Sequence, residues 1–201
     1  MKKTIVLING KKRSGKDFSA SMLEEKLDST LKLSFATPLK QIVADTFGIT
    51  LEALEEFKNN HTEYDIKCMA YPNNQPQVNF LTTDFREILQ RFGTEGMKPV
   101  FGTDVWAKIA LDLVKESKEE VIIIPDFRFN IESDVIKNNP FGINVVTLKI
   151  KNDDVDGGED LHASERELDS YLFDYIIDNT GYSEDLSDYL DSFINTHLVN
   201  L

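Results

Sequence analysis

Thr4-Ile5-Val6-Leu7-Ile8-Asn9-Gly10-Lys11-Lys12-Arg13-Ser14-Gly15-Lys16-Asp17 is the stretch on which the fold turns. Thr4 to Asn9 is a short β-branched, apolar run, the pattern of a buried strand. Gly10 to Lys16 is a basic loop bounded by glycines. From about Ser14 to Leu27, Phe18, Met22, Leu23 and Leu27 recur at helical spacing. The loop matches G-x-x-x-x-G-K in the strand–loop–helix context that gives this motif its meaning. Its glycines let backbone N–H groups curl around phosphate oxygens, and the helix start adds partial positive charge. Lys16 would reach the β and γ phosphates of a nucleotide. The next position usually carries a Ser or Thr that touches Mg²⁺. Asp17 stands there instead, either holding Mg²⁺ directly or through water, or capping the helix start.

Outward from this unit, strand and helix patterns alternate. Leu31 to Phe35 reads as a second strand. Pro38 opens a helix with Leu39, Ile42, Val43 and Phe47 on one face and Gly48 at its end, and Thr50 opens another. Residues 58–82 are rich in Asn, Gln and Pro and lose apolar periodicity, so they read as an irregular insertion or flap. Asp84 to Phe92 and Asp104 to Val114 read as helices. Val121-Ile122-Ile123-Ile124-Pro125-Asp126 is a continuous apolar run with a polar tip, suited to the centre of a parallel sheet. Asn130 to Lys137 reads as a crossover helix, Ile143 to Ile150 and Tyr175 to Asp178 as strands, and Ser183 to His197 as a closing helix. The sum is an α/β three-layer sandwich with a mostly parallel five-stranded sheet, one domain over 1–201. It carries the 58–82 flap-like insertion and a lid-like acidic loop at 152–163.

Composition narrows the function. The chain has 201 residues, 22 Lys and Arg against 35 Asp and Glu, and a formal net charge of −13. Such a balance weighs against coating of nucleic acid, which needs a broad basic surface. The basic residues gather at the start: Lys2, Lys3, Lys11, Lys12, Arg13 and Lys16 precede the first acid, whereas Arg166 is the only Lys or Arg after Lys151. An acidic protein with cations at one loop can take an anion there without taking polyanions elsewhere. A single cysteine, Cys68, leaves no disulfide framework and points to a reducing cytoplasm. No apolar run approaches the ~20 residues of a membrane span, and the start reads as a strand rather than a signal peptide.

Phosphoryl transfer needs positioning, Mg²⁺ and cations more than covalent chemistry from the protein. Candidates for the cations are Arg86 and Arg91, around a helix before Gly93-Thr94-Glu95, and Arg128, two residues past Asp126. Ligands of open parallel sheets bind at strand tips. There Asp126 would hold Mg²⁺ or water, accept a bond from a substrate hydroxyl, or cap a turn. Trp106 is either core or a base-stacking platform.

Several segments together resemble the bacteriophage deoxynucleoside monophosphate kinases, within the P-loop nucleotide kinases. They are the loop from Gly10 to Asp17, Phe35-Ala36-Thr37-Pro38-Leu39-Lys40, Leu89-Gln90-Arg91-Phe92-Gly93-Thr94-Glu95, and Trp106. After these come Ile124-Pro125-Asp126-Phe127-Arg128-Phe129-Asn130-Ile131-Glu132, His162-Ala163-Ser164-Glu165 and Ile177-Asp178-Asn179-Thr180-Gly181. The Lys-Asp ending of the loop is typical of that family. Its usual next residue is Thr, where this chain has Phe18.

The resemblance implies Mg²⁺-dependent transfer of the γ-phosphoryl of ATP to a deoxynucleoside 5′-monophosphate. It implies that Gly10, Arg13, Ser14, Gly15, Lys16, Asp17 and Ser19 hold the ATP phosphates, with Ser19 supplying a hydroxyl. Lys12, Lys40, Arg86, Gly93, Thr94 and Trp106 would shape the monophosphate pocket, lined from the strand tip by Asp126, Arg128 and Glu132. Catalysis would rest on Lys16, Asp17, Asp126 and Arg128. Arg166 is either a lid arginine or a helix-surface charge, and Asn179 either lies beside the adenine or belongs to a turn. A homodimer and, for a phage-encoded chain, the host cytoplasm complete the expectation. The rivals are a coenzyme-precursor kinase on the same scaffold, a regulatory ATP-binding protein and a DNA-processing protein. A GTP switch would want an Asn-Lys-x-Asp guanine reader, which the sequence does not contain.

Overall fold

Strand β1 (Thr4–Asn9) pairs in parallel with two other strands, one on each side, and so occupies the middle of a five-stranded sheet. The computed structural model describes residues 3–70, 73, 75, 77–152, 167–179 and 182–198. The chain divides into two units, Met1–Phe35 with Trp106–Leu201, and Ala36–Val105.

After β1 the elements run α1 (Lys16–Lys26), β2 (Thr30–Lys32), α2 (Thr37–Phe47), α3 (Leu51–Asn59), β3 (Glu63–Ala70) and β4 (Gln77–Asp84). Then come α4 (Phe85–Gln90), a π-helical stretch (Arg91–Met97), α5 (Lys98–Phe101) and α6 (Val105–Glu116). The chain closes with β5 (Val121–Ile124), α7 (Asn130–Lys137), β6 (Asn144–Lys151), β7 (Tyr175–Asp178) and α8 (Ser183–His197).

In the first unit the strand order is β2-β5-β1-β6-β7, with every pair parallel. Alternate residues of a strand face opposite sides, so a strand covered on both faces must be apolar throughout. Val6 and Ile8 of β1 pack with Leu23 of α1 and Leu190 and Phe193 of α8. Ile5 and Leu7 pack on the other face with Ala110 and Val114 of α6 and Ile136 of α7. Strand β5 divides in the same way, Ile123 to one core and Ile122 with Ile124 to the other. That is the expected three-layer α/β sandwich.

The second unit is built on Phe85, which is fully buried. Its ring lies 5.3 Å from that of Phe47 and 5.6 Å from those of Phe57 and Tyr64, centroid to centroid. Pro38 sits in the first turn of α2, Gly48 ends that helix with φ 65°, and the Thr50 hydroxyl caps α3 by accepting from Ala53 N at 3.2 Å.

The elements differ from the sequence expectation in three places. The second strand is Thr30–Lys32 rather than 31–35, because Ser34 and Phe35 turn to bond the tip of β5. Residues 58–82, expected to be irregular, include the end of α3 and most of an antiparallel hairpin, registered from Glu63 opposite Asp84 to Ala70 opposite Gln77. Glu63 to Cys68 alternates polar and apolar, but the partner strand sets Thr83, Leu81 and Asn79 opposite Tyr64, Ile66 and Cys68, so no matching alternation marks the second strand. The helix expected to stop at Phe92 continues through the π-helical stretch into α5. The lid-like loop at 152–163 lies outside the described residues except for Asn152, and Arg166 lies outside them as well. No helix among the described residues is long and apolar enough to cross a membrane.

Candidate active site: the loop between the first strand and the first helix

Central β1 ends between the tips of β5 and β6, and the loop Gly10–Gly15 springs from that end. In open parallel sheets this is where ligands bind. The loop turns tightly: Ser14 N donates to Lys11 O at 3.1 Å, and Arg13 and Gly15 take positive φ of 70° and 97°. A Cβ on Gly10 would lie 2.4 Å from Ser14 Oγ and 2.9 Å from Ile150 O, so only glycine fits there without displacement. No side chain caps the start of α1, which leaves its first amides for an external acceptor. Ser14 is fully buried, and its Oγ has no hydrogen-bond partner among the described residues. An orphaned buried hydroxyl costs free energy unless a ligand satisfies it.

Lys16, largely buried, reaches Asp17 Oδ2 at 2.8 Å, while Asp17 is 77% exposed. Asp17 is thus a carboxylate at the mouth of the loop, not a side-chain cap. Lys12 and Arg13 are exposed cations on the same turn. Ser19 is fully buried, and its Oγ donates to Gly15 O at 3.0 Å, so its hydroxyl serves the first turn of α1. Phe18 is half exposed.

At the tip of β5, Asp126 uses both carboxylate oxygens on the chain leaving β2. Oδ2 accepts from Ser34 Oγ at 2.6 Å and Oδ1 from Phe35 N at 3.0 Å. Glu132 is buried, and its Oε2 accepts from the amides of Arg128 at 2.8 Å and Phe129 at 3.0 Å. This is one half of a capping box at the start of α7, and it fixes the backbone that presents the exposed Arg128. Asn9 Nδ2 donates to Phe127 O at 2.9 Å and ties the same tip to β1. Asn179 Nδ2 donates to Ser14 O at 2.8 Å, against the loop itself. Trp106 is buried at the start of α6.

Four expected residues belong to the second unit: Lys40, Arg86, Gly93 and Thr94. Lys40 Nζ lies 2.6 Å from Glu55 Oε1, and Lys58 pairs with the other oxygen of that carboxylate. Burial pushes the Glu55 carboxyl up, but the hydrogen bonds and charges of the two lysines outweigh it and hold the group below the usual carboxylate range. Arg86 is exposed on α4, and Arg91 pairs with Glu87 at 2.9 Å. Gly93 lies buried in the π-helical stretch, where a Cβ would come within 2.7 Å of Leu39 Cδ2. Thr94 beside it is exposed. Such stretches are rare and often mark functional sites.

Sequence reasoning missed Asn9, Ser34 and Glu55. Each acts through a partner distant in the chain or on the next helix, and no local motif signals it. Among the described residues no group of three or more His, Cys, Asp or Glu is arranged to hold a metal ion.

Residues 49–190 match the model of the deoxynucleotide monophosphate kinase family. The chain belongs to that family. The kinase is therefore a phosphotransferase that phosphorylates deoxynucleoside monophosphates. The loop Gly10–Asp17 precedes the matched range. No curated protein matches the kinase. Among solved structures it is similar to TT1252 from Thermus thermophilus, with a TM-score of 0.51, 15% identity, and coverage of 97% of this chain and 98% of that one. That likeness supports the fold. The tunicamycin resistance protein of Deinococcus radiodurans is 14% identical with a TM-score of 0.45, covering 96% of this chain and 94% of that one.

Proposed function

We propose that the kinase takes its phosphoryl group from ATP with Mg²⁺, and that the loop Gly10–Asp17 is the donor site. The observation that carries this is the buried, unpartnered Ser14 Oγ inside a glycine cradle at an uncapped helix start. Gly10, Gly15 and the first amides of α1 would surround the phosphates, and Lys16 would turn from Asp17 to the β and γ oxygens. Mg²⁺ usually binds through one or two carboxylates together with substrate phosphates and water. Asp17 fits that donor set, and the ion when bound neutralises charge on the phosphates.

The acceptor reading assigns Lys12, Lys40, Arg86, Gly93, Thr94, Trp106 and Arg128 to the deoxynucleoside monophosphate. In the step itself the bond from the γ phosphorus to the bridging oxygen breaks, and one to an oxygen of the acceptor phosphate forms. ADP and a deoxynucleoside diphosphate leave. The attacking oxygen is already ionised, so no general base is needed. Asp126, Ser19 and Glu132 serve this site by holding backbone in place. We further propose that residues 1–201 work as one P-loop kinase domain in a cytoplasm, the host's for a phage-encoded chain, and as a homodimer. Light scattering tests the dimer.

The deciding experiment is a coupled ADP-release assay with ATP and Mg²⁺ against a panel of deoxynucleoside and ribonucleoside monophosphates. Release stimulated by one or a few deoxynucleotides is the expected result. Release indifferent to every acceptor would point to an ATPase and overturn transfer from ATP to these acceptors, and no release with any acceptor would overturn ATP as the donor.

A further inference from the structure

We infer that Asn179 is a positioning residue that fixes the Ser14–Gly15 peptide so that the Gly15 amide faces the donor phosphates. This deepens the donor-site reading and rests on it.

Asn179 Nδ2 donates to Ser14 O at 2.8 Å, a contact between residues 165 apart in the chain. A trans peptide points its C=O and the following N–H in opposite directions. A donor that holds the Ser14 carbonyl on one side therefore holds the Gly15 N–H on the other. Were this peptide to flip, a carbonyl dipole would replace an amide in the cradle and repel an anion. Fixed dipoles aimed at charge cost no reorganisation when the charge arrives.

Gly15 needs such a lock more than its neighbours do. Its φ is 97°, and glycine has the most backbone freedom to lose. The fit is also close, because a Cβ on Gly15 would lie 2.5 Å from Asn179 Nδ2. Glycine at this position thus serves the turn and makes room for the asparagine. The backbone of Asn179 is tied to the sheet: its N donates to Lys151 O at 2.7 Å, directly after the last paired residues of β6 and β7. Asn179 braces the loop from the sheet rim.

The family resemblance leaves Asn179 either beside the adenine or in a turn, and a base contact separates from the positioning role by experiment. Binding of ATP and of inorganic tripolyphosphate would be measured by calorimetry for the full chain and for Asn179→Ala. A residue acting through the phosphate cradle weakens both ligands by the same factor, roughly 3- to 10-fold for one neutral hydrogen bond. Loss of ATP affinity with tripolyphosphate unchanged would overturn the inference in favour of a base contact, and no loss for either would overturn it outright. Wild-type protein that binds ATP but not tripolyphosphate would instead overturn the donor-site reading, and the inference with it. Asn179→Leu keeps the shape without the donor and replaces the alanine variant if that one does not fold. Wild-type amide NMR gives a check independent of any variant. Tripolyphosphate should shift the Gly15 amide resonance, and an unmoved resonance would overturn the inference.

Discussion

At Lys16 an ammonium on a largely buried side chain is held, among the described residues, by the exposed carboxylate next to it. A pair with one solvent-exposed partner contributes little, so moving the ammonium onto a phosphate costs little. Lys16→Ala should lower phosphoryl transfer by orders of magnitude, read by ADP release, while circular dichroism and Tm stay close to wild type. Near-normal turnover would remove the lysine from the donor site. Gly10 makes the opposite case, since its surroundings forbid any side chain. Ser14 Oγ could rotate away from a new methyl, but Ile150 O is backbone and must shift. Overpacking of this kind costs about 1–3 kcal/mol. Gly10→Ala should therefore lose both urea stability and ATP affinity, whereas Lys16→Ala loses function alone.

At the scale of elements, α4 illustrates how a cap works. Asp84 Oδ1 accepts from Glu87 N at 2.8 Å, across the junction from hairpin to helix. That amide hydrogen bond, against a smaller effect of burial, holds the Asp84 carboxyl below its ordinary value, with His61 aiding it. A depressed carboxylate stabilises the fold fully above its unfolded pKa of about 3.9 and loses that contribution as pH falls through its folded value. Asp84→Ala should cost about 1 kcal/mol at neutral pH. The gap from wild type in urea denaturation should narrow below pH ~4, and a gap unchanged down to pH 3 would contradict the cap. The π-helical stretch that follows α4 was hidden from sequence reasoning. Periodicity from Asp84 to Phe92 marked the helix but not the change of hydrogen bonding after Gln90, where Gly93 tucks against Leu39.

At the scale of the whole molecule, the net charge of −13 is a source of self-repulsion that salt screens. Tm should rise between about 10 and 150 mM NaCl, as the Debye length falls from about 30 to about 8 Å, when followed by scanning calorimetry without nucleotide. A falling Tm would mean that ion pairs such as Lys26–Asp191 outweigh the repulsion. Much of the architecture at this scale was legible beforehand. Ile5 to Ile8 and Val121 to Ile124 are apolar throughout because each has a helix layer on both faces, and such runs announce themselves. The hairpin Glu63–Asp84 did not, since its alternation is confined to Glu63–Cys68 and the paired strand Gln77–Asp84 does not match it. In the candidate site, the loop was readable because its motif is contiguous. The roles of Asp126 and Asn179 were not, because each is set by partners 92 and 165 residues away.

The sequence by itself determined the loop from Gly10 to Asp17, the helical and strand periods around it and the acidic surface, all of which depend on neighbours a few residues apart. Only the tertiary structure decided the order β2-β5-β1-β6-β7, the attachment of Ser34 and Phe35 to Asp126, and the asparagine behind Gly15. Those contacts form where the chain returns to itself, and a hydrogen bond between distant residues leaves no periodic trace in composition.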